Sequence, residues 1–294
     1  MIKKQRGMTL IELMISMMLG LGLVAGVSQL FIQSQKSFSI QRNLSDMTDH
    51  GSFILEVLVK GVLLAGYADR GDTSDLPADA DVMPVSGVPT ISFGDGGEIV
   101  HGKDGTKDSQ LVYRYKLHSQ GELDNSVCTS SLISFTAADQ AAVNAENDSV
   151  VTMRIYKKND IDGIPVFYCK PQKSGEAAKD AQPLISEVEK LVFKYGVRVK
   201  TYVSGSRTPL NDKFYYTDAA TIDAASAAGD IDNDWKSVFA VKVFVVLRSA
   251  DKNLTKNKTD WKIDGGVTEY PATDEKRLYK VFSKTIYLRT GDKS

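Results

Sequence analysis

Glu12 is the only ionisable side chain in a 25-residue apolar run, MTLIELMISMMLGLGLVAGVSQLFI, from Met8 to Ile32. As a helix, such a run spans a bilayer core of about 30 Å. A charge inside it costs roughly 2.5–3.5 kcal/mol on insertion scales, so a carboxylate kept there points to function. A basic leader, MIKKQRG, precedes the run and ends at Gly7. Secretory signals are cut at small residues after their apolar run; here the suitable junction, Gly7–Met8, comes before it. Cleavage there removes the leader's charges, keeps the whole apolar helix and frees an ammonium at Met8, one helical turn from Glu12.

Few other residues carry chemistry. The only cysteines, Cys128 and Cys169, allow one pairing. By the positive-inside bias, Lys3, Lys4 and Arg6 hold the N-terminus in the cytoplasm and place residues beyond about 35 outside. In a Gram-negative cell that compartment is oxidising. A disulfide closing about 40 residues would be worth about 4 kcal/mol in the chain-entropy model, and two separate buried thiols are the alternative. The absence of a CxxC spacing argues against zinc and redox chemistry. Asp230, Asp232 and Asp234 form DxDxD, the acidic start of a calcium loop, but the later glycine and glutamate are missing. An exposed loop is the plainer reading, and Asp160, Asp162 and Gly163 are weaker still. His50, His101 and His118 have no metal-ligand spacing and are expected in solvent. No nucleophile elbow or phosphate loop is present, and Gly94–Gly97 reads as a turn. The Arg70-Gly71-Asp72 tripeptide sits in a polar run and reads as loop. Lys252, Lys256, Lys258 and Lys262 with Trp261 make a basic loop that could touch DNA or another surface, or simply be solvated. Without the leader, 33 basic residues face 37 acidic ones, which is no footprint for nucleic acid. Neither an enzyme nor a cofactor is expected.

The elements around these residues follow from periodicity. Met47, Gly51, Ile54, Leu58, Val62 and Ala65 recur at steps of three and four, so the helix should continue beyond the membrane with one apolar stripe. Glu56 and Lys60 form an i, i+4 pair on its flank, and Gly66 and Tyr67 end it. Gly22 and Gly26 form a GxxxG, either a close-packing face or a locally weak stretch. Residues 69–105 read as a long irregular connection rich in Gly, Asp, Pro and Ser. Half-buried strands are expected where Leu111, Tyr113, Tyr115 and Leu117 alternate with Val112, Arg114 and Lys116, and at Val151–Tyr156 and Leu191–Val199. Val238–Leu247 is apolar on both faces and should be central, and Leu278–Leu288 is the last strand. With no helical pattern between strands, the class is α+β: a long helix whose amphipathic half packs on an antiparallel sheet.

GMTLIELM (Gly7–Met14) resembles the processing site of type IV prepilins and pseudopilins. The resemblance implies that a prepilin peptidase cuts after Gly7 and methylates the new amino group of Met8. Glu12 then attracts the ammonium of a neighbouring subunit in the filament core. Met8 stands where phenylalanine is more usual, and no proline lies between Met8 and Asp69, where the family's helices often carry one. HGSFILEVLVKGVLLAGY (His50–Tyr67) is similar to the later helix of the PilW family of minor pilins. LVYRY, VFYCK, SEVEKLVFKYGV, WKSVFAVKVFVVLRS and RLYKVFSKTIYLR follow in that family's order. Four parts are implied: a cleaved cytoplasmic leader (1–7), a transmembrane or filament-core helix (8–35), its amphipathic continuation (36–67) and a β-rich periplasmic or extracellular pilin domain (68–294). So is the function of a minor pilin that primes type IV pilus assembly and sits in a tip complex, serving twitching motility and adhesion and extending to DNA uptake. Its partners would be other minor pilins, the major pilin, prepilin peptidase, the inner-membrane assembly platform and a tip adhesin. It would start as a single-pass inner-membrane protein and end in the pilus. Alternatives are a J-type pseudopilin of type II secretion and a tip-displayed adhesin or DNA-binding module.

Overall fold

The computed structural model describes residues 9–66, 85, 88, 91, 93, 98–104, 108–117, 128, 133–144, 149–174, 176, 179–202, 209–228, 234–264, 266, 268–271 and 275–288. Helix α1 runs without a break from Leu10 to Leu64. Thr9 caps its start in an extended conformation, with its hydroxyl accepting from the Glu12 amide at 3.4 Å. At the other end Ala65 leaves helical geometry, and Gly66 turns to a φ of 70°, where a glycine is unstrained.

The two halves of α1 meet different surroundings. Every residue from Leu10 to Phe38 is exposed, whereas Met47, Gly51, Ile54, Leu58, Val62 and Ala65 are buried against the strands. The apolar stripe expected from the sequence is therefore the packed face. Glu56 and Lys60 pair at 2.7 Å on its solvent side. The helix comes close enough to the sheets that side chains are excluded at two points. A Cβ on Gly51 would lie 2.5 Å from the Phe282 ring, and one on Gly61 would overlap the Tyr113 hydroxyl.

The strands form two main antiparallel sheets rather than one. The first is a meander of β1 (Val100–Asp104), β2 (Ser109–Leu117), β3 (Ser149–Asn159), β4 (Pro165–Lys173) and β5 (Gln182–Ser186). The second contains β6 (Val188–Tyr202), β7 (Pro209–Thr217), β8 (Val238–Arg248) and β11 (Tyr279–Tyr287), in the order β11-β8-β6-β7. β9 (Trp261–Lys262) and β10 (Thr268–Glu269) make a small separate hairpin. A single residue, Glu187, joins the sheets. Its φ of 65° redirects the chain between β5 and β6. Arg248 holds the corner by donating to the carboxylates of Glu187 at 2.5 Å and Glu189 at 3.3 Å. One hydrophobic core runs from Met47 on α1 through both sheets to Leu288.

Val238–Leu247 is central, as its two-sided apolar pattern requires, and β11 is an edge. Other expectations need correction. β2 is not half-buried: Arg114 is fully buried, its guanidinium 4.0 Å from the centre of the Phe93 ring and its Nε donating to the Glu98 carbonyl. Ile91 and Phe93, from the run read as irregular, pack on Val112 and cover that face. The same run contains β1. Two short helices, α2 (Ala137–Asn144) and α3 (Ala219–Ala227), lie between strands where no helical pattern was legible. Both are alanine-rich and short, so high propensity and tertiary contact form them without a long apolar stripe.

Candidate functional site: the helix stem and its seat

The exposed half of α1 is a stem of apolar side chains from Leu10 to Ile32. Its polar groups are suited to an apolar medium. The Ser16 hydroxyl donates to the Leu13 carbonyl at 2.9 Å, and Ser28 donates to Val24 at 2.8 Å, so both are satisfied inside the helix. Glu12 lies in the first turn, where the helix dipole favours a negative charge. Among the described residues, no ion pair engages its carboxylate within the chain. Gly7 and Met8 lie outside the described residues. Gly20, Gly22 and Gly26 are on the exposed stem, with nothing within 4 Å of where their Cβ atoms would stand.

The stem enters the domain at a clamp. Asn43, the first buried residue of α1, donates from Nδ2 to Asp251 at 2.9 Å, and the Ser39 hydroxyl donates to the same carboxylate oxygen at 3.0 Å. Asn43 Oδ1 accepts from the Asp251 amide at 3.3 Å. These donors hold the Asp251 carboxyl below its ordinary range. Farther along, Lys280 donates to Thr48 at 2.9 Å, Phe282 faces Gly51 and Tyr113 faces Gly61. Because β11 and α1 run in the same direction, each step along the helix meets a step along the strand.

Cys128 and Cys169 are joined in a disulfide with a Cα separation of 6.2 Å. It ties the β2–β3 connection to β4. The same connection is held at α2, whose Asp139 accepts from the Thr136 amide at 2.7 Å, from Ser149 at 2.7 Å and from Lys173 at 3.0 Å. Burial raises the Asp139 pKa, but these donors outweigh it and hold the carboxyl well below the usual range. Lys173 also meets Glu176 at 2.6 Å, and the two carboxylates push its pKa up despite burial.

Among the described residues the remaining candidates do not assemble a reactive centre. Asp230 and Asp232 lie outside the described residues, and Asp234 caps a 3-10 turn by accepting from the Ser237 amide at 3.0 Å. Among the described residues no cluster of His, Cys, Asp or Glu could hold a metal ion. His118 and Arg70–Asp72 also fall outside the described residues. His101 is not solvated as expected. β1 buries it with Nδ1 3.2 Å from Glu98 and Nε2 3.5 Å from Asp223, and its ring lies 4.3 Å from Trp235. Its burial was illegible because β1 itself was hidden in a polar run.

A cleft of about 770 Å³ opens between the β3–β4 tip, the Glu187 corner and the β8–β11 connection. Its charges largely answer one another. Lys190 meets Glu269 at 2.5 Å, Arg277 meets Glu275 at 2.6 Å, and Lys252 meets Glu275 at 2.8 Å. Arg277 also donates to the carbonyls of Ser249 and Ala250, both at 2.5 Å, fixing the end of β8. The clamp residue Asp251 follows directly.

The prokaryotic N-terminal methylation motif matches residues 2–28. Among solved structures, a type IV-like pilin from Thermus thermophilus is similar at a TM-score of 0.41 and 10% sequence identity, over 83% of this chain and 96% of that one. No curated protein sequence matches. The type IV pilus-assembly protein W profile matches residues 134–290, more than half of the sequence. On that match the chain belongs to the PilW family of type IV pilus-assembly proteins.

Proposed function

We propose that the chain is a minor pilin that helps prime type IV pilus assembly and occupies a minor-pilin complex at the filament tip. The observation that carries this is the division of α1: an apolar stem exposed from Leu10 to Phe38, continuous with a half that is clamped into a large β domain. An exposed apolar helix needs a bilayer or a bundle of like helices, and a pilin uses each in turn. The precursor enters the inner membrane with residues 1–7 in the cytoplasm and the domain in the periplasm. Prepilin peptidase cuts after Gly7 and methylates Met8. Glu12 then pairs with the ammonium of a neighbouring subunit as the assembly platform lifts stems into the filament. Other minor pilins, the major pilin and a tip adhesin are its partners. The size of the β domain suits a low-copy tip position better than a repeating shaft.

The test is a deletion strain scored for surface pili, with and without the retraction motor, with protein secretion assayed in the same cultures. Pili that fall sharply and partly recover when retraction is removed, with secretion intact, are expected. Unchanged pili with failed secretion would refute the pilus reading in favour of a type II secretion pseudopilin.

A further inference from the structure

The two main sheets have four edges, and three of them are protected. α1 runs along β11, with Lys280 at Thr48 and Phe282 at Gly51. α3 is held against β1, where Lys103 meets Asp223 at 3.1 Å and Asp104 accepts from the Ala220 amide at 3.1 Å. β5 is short, contains Pro183 and has a bulge in its pairing with β4. Covering helices, short length, proline and bulges are the ordinary defences of a strand edge against pairing with another chain. β7 is the fourth edge, and among the described residues no strand pairs with its outer side.

The first half of β7, residues 209–213, begins with a proline, ends on Asp212 and Lys213, and lies beside a bulge in the β6 pairing. The second half, residues 214–217, has no proline, glycine or charge. Tyr215 pairs with the core residue Val197, so Phe214 and Tyr216 take the opposite, outer face. Phe214 is 58% exposed and Tyr216 39%, and Tyr215 is 41% exposed on the core side. An aromatic surface continues from this edge across the sheet. The Phe214 ring meets Phe239 edge-on at 5.4 Å, and Phe239 lies 6.3 Å from the exposed ring of Tyr287. Nearby cations are engaged within the chain: Lys242 with Asp264 at 2.5 Å, Lys194 with Asp218, and Arg198 over the Phe214 ring at 5.3 Å. The surface therefore suits an uncharged, apolar partner.

Its position narrows the choice of occupant. β6 climbs from Val188, level with Leu247 near the clamp, to Val197, level with Val238. That is about 30 Å at roughly 3.3 Å per residue. The bare half of β7 thus stands at the end of the domain away from the stem, on the flank opposite β11 and α1. A second copy fits it poorly. Antiparallel pairing of two β7 strands sets a two-fold axis through the sheet and points the two stems in opposite directions, which one bilayer forbids. Parallel pairing turns one sheet over and breaks the aromatic surface.

We propose that residues 214–217 of β7 take up an extended segment of a different stem-bearing subunit as an added β-strand. The proposal rests on the pilin reading, which puts several kinds of stem in one bilayer. Backbone N–H and C=O groups along the edge supply affinity that is independent of sequence. Apolar side chains at alternate positions of the incoming strand, packed beside Phe214 and Tyr216, supply selectivity.

For the test, p-benzoylphenylalanine is installed in place of Phe214 in the full chain, in cells that make it natively, and the irradiated adduct is mapped by peptide mass spectrometry. The expected adduct is with an uncharged, alternately apolar segment of another protein that carries its own N-terminal methylation motif. A synthetic peptide of that segment, added to the full chain in detergent, should slow hydrogen exchange of the backbone amides in 214–217 by about tenfold or more. The amides of β5 should be unaffected. Tyr216→Lys, which puts a charge on the bare edge, should keep the parent's Tm and cut the adduct by about tenfold. No adduct, an adduct only with a second copy, or one with a protein that lacks a stem would overturn the proposal. A peptide that binds without protecting those amides would also overturn it, because it would sit on the aromatic face and not on the edge. So would an undiminished adduct in Tyr216→Lys. If the adduct is absent while the deletion strain still loses its pili, the pilin reading stands and this inference alone falls.

Discussion

Replacing Gly61 by alanine sets two effects of known size against each other. Alanine gains about 1 kcal/mol over glycine inside a helix. At Gly61 the new methyl would overlap the Tyr113 hydroxyl and stand 2.6 Å from Cζ. Tyr113 is 2% exposed on β2, in the core that α1 covers, and its burial pushes the phenol pKa up. The ring cannot swing into solvent, so helix and strand must separate, at an overpacking cost of about 1–3 kcal/mol. The packing effect should win, and Gly61→Ala should destabilise by about 0–2 kcal/mol, lowering Tm by a few degrees for a domain of this size. Gly22→Ala, with nothing within 4 Å, keeps only the propensity gain. Chemical denaturation of the detergent-solubilised full chain, followed by circular dichroism, measures both. Tyr113→Phe removes the atom that is struck first, so the double variant should recover part of the loss as a positive coupling. A Gly61→Ala protein more stable than its parent, or no coupling with Tyr113→Phe, would refute the close approach of helix and sheet.

Gly7→Ala should leave a precursor of unchanged length in the membrane, and a normally shortened band on a denaturing gel would contradict the assigned junction. Glu12→Ala should be cleaved normally yet enter filaments poorly; wild-type incorporation would remove the ion-pair role. Cys128→Ser opens a loop spanning 41 positions and should cost about 4 kcal/mol, read as a lower denaturation midpoint that reducing agent no longer shifts. Acid should weaken the domain through specific carboxylates. Lys252 and Arg277 hold Glu275 down to about 2, and Lys173 holds Glu176 below its ordinary value. A carboxyl whose folded pKa is depressed contributes stability above its unfolded value, and that stability is lost as pH falls through the folded one. Stability should therefore decline between about pH 4.5 and pH 2, and Glu275→Gln should flatten the decline. An unchanged slope would mean that Glu275 is not bonded as described.

The helix was legible because its signals are long and redundant. The six-residue stripe from Met47 to Ala65, the Glu56–Lys60 pair and the Gly66 stop all reappear as packing, pairing and a positive φ. Asn43, Gly51 and Gly61 show where reading stops. Each sits on the buried face, but only the opposing residue explains it: Asp251 for one, Phe282 and Tyr113 for the others. β1 escaped notice because Val100–Asp104 is short and carries His101 and Lys103, whose acceptors Glu98 and Asp223 come partly from α3. Two-sheet architecture was hidden in one dihedral angle at Glu187, a residue type that rarely adopts it. At the stem the carboxylate of Glu12 was conspicuous by type alone, whereas the clamp that seats the stem joins residues 208 positions apart and leaves no local pattern.

The parallel course of α1 and β11 has a mechanical consequence. A pull on the stem along its own axis reaches the domain lengthwise through Asn43, Thr48, Gly51 and Gly61 together. Side chains interlocked along one axis must slide past one another all at once to yield. A helix peeled off sideways would lose them one by one. The seat is therefore strongest against a pull along the stem, and the Ser39–Asn43–Asp251 clamp, nearest the stem, takes up the strain first.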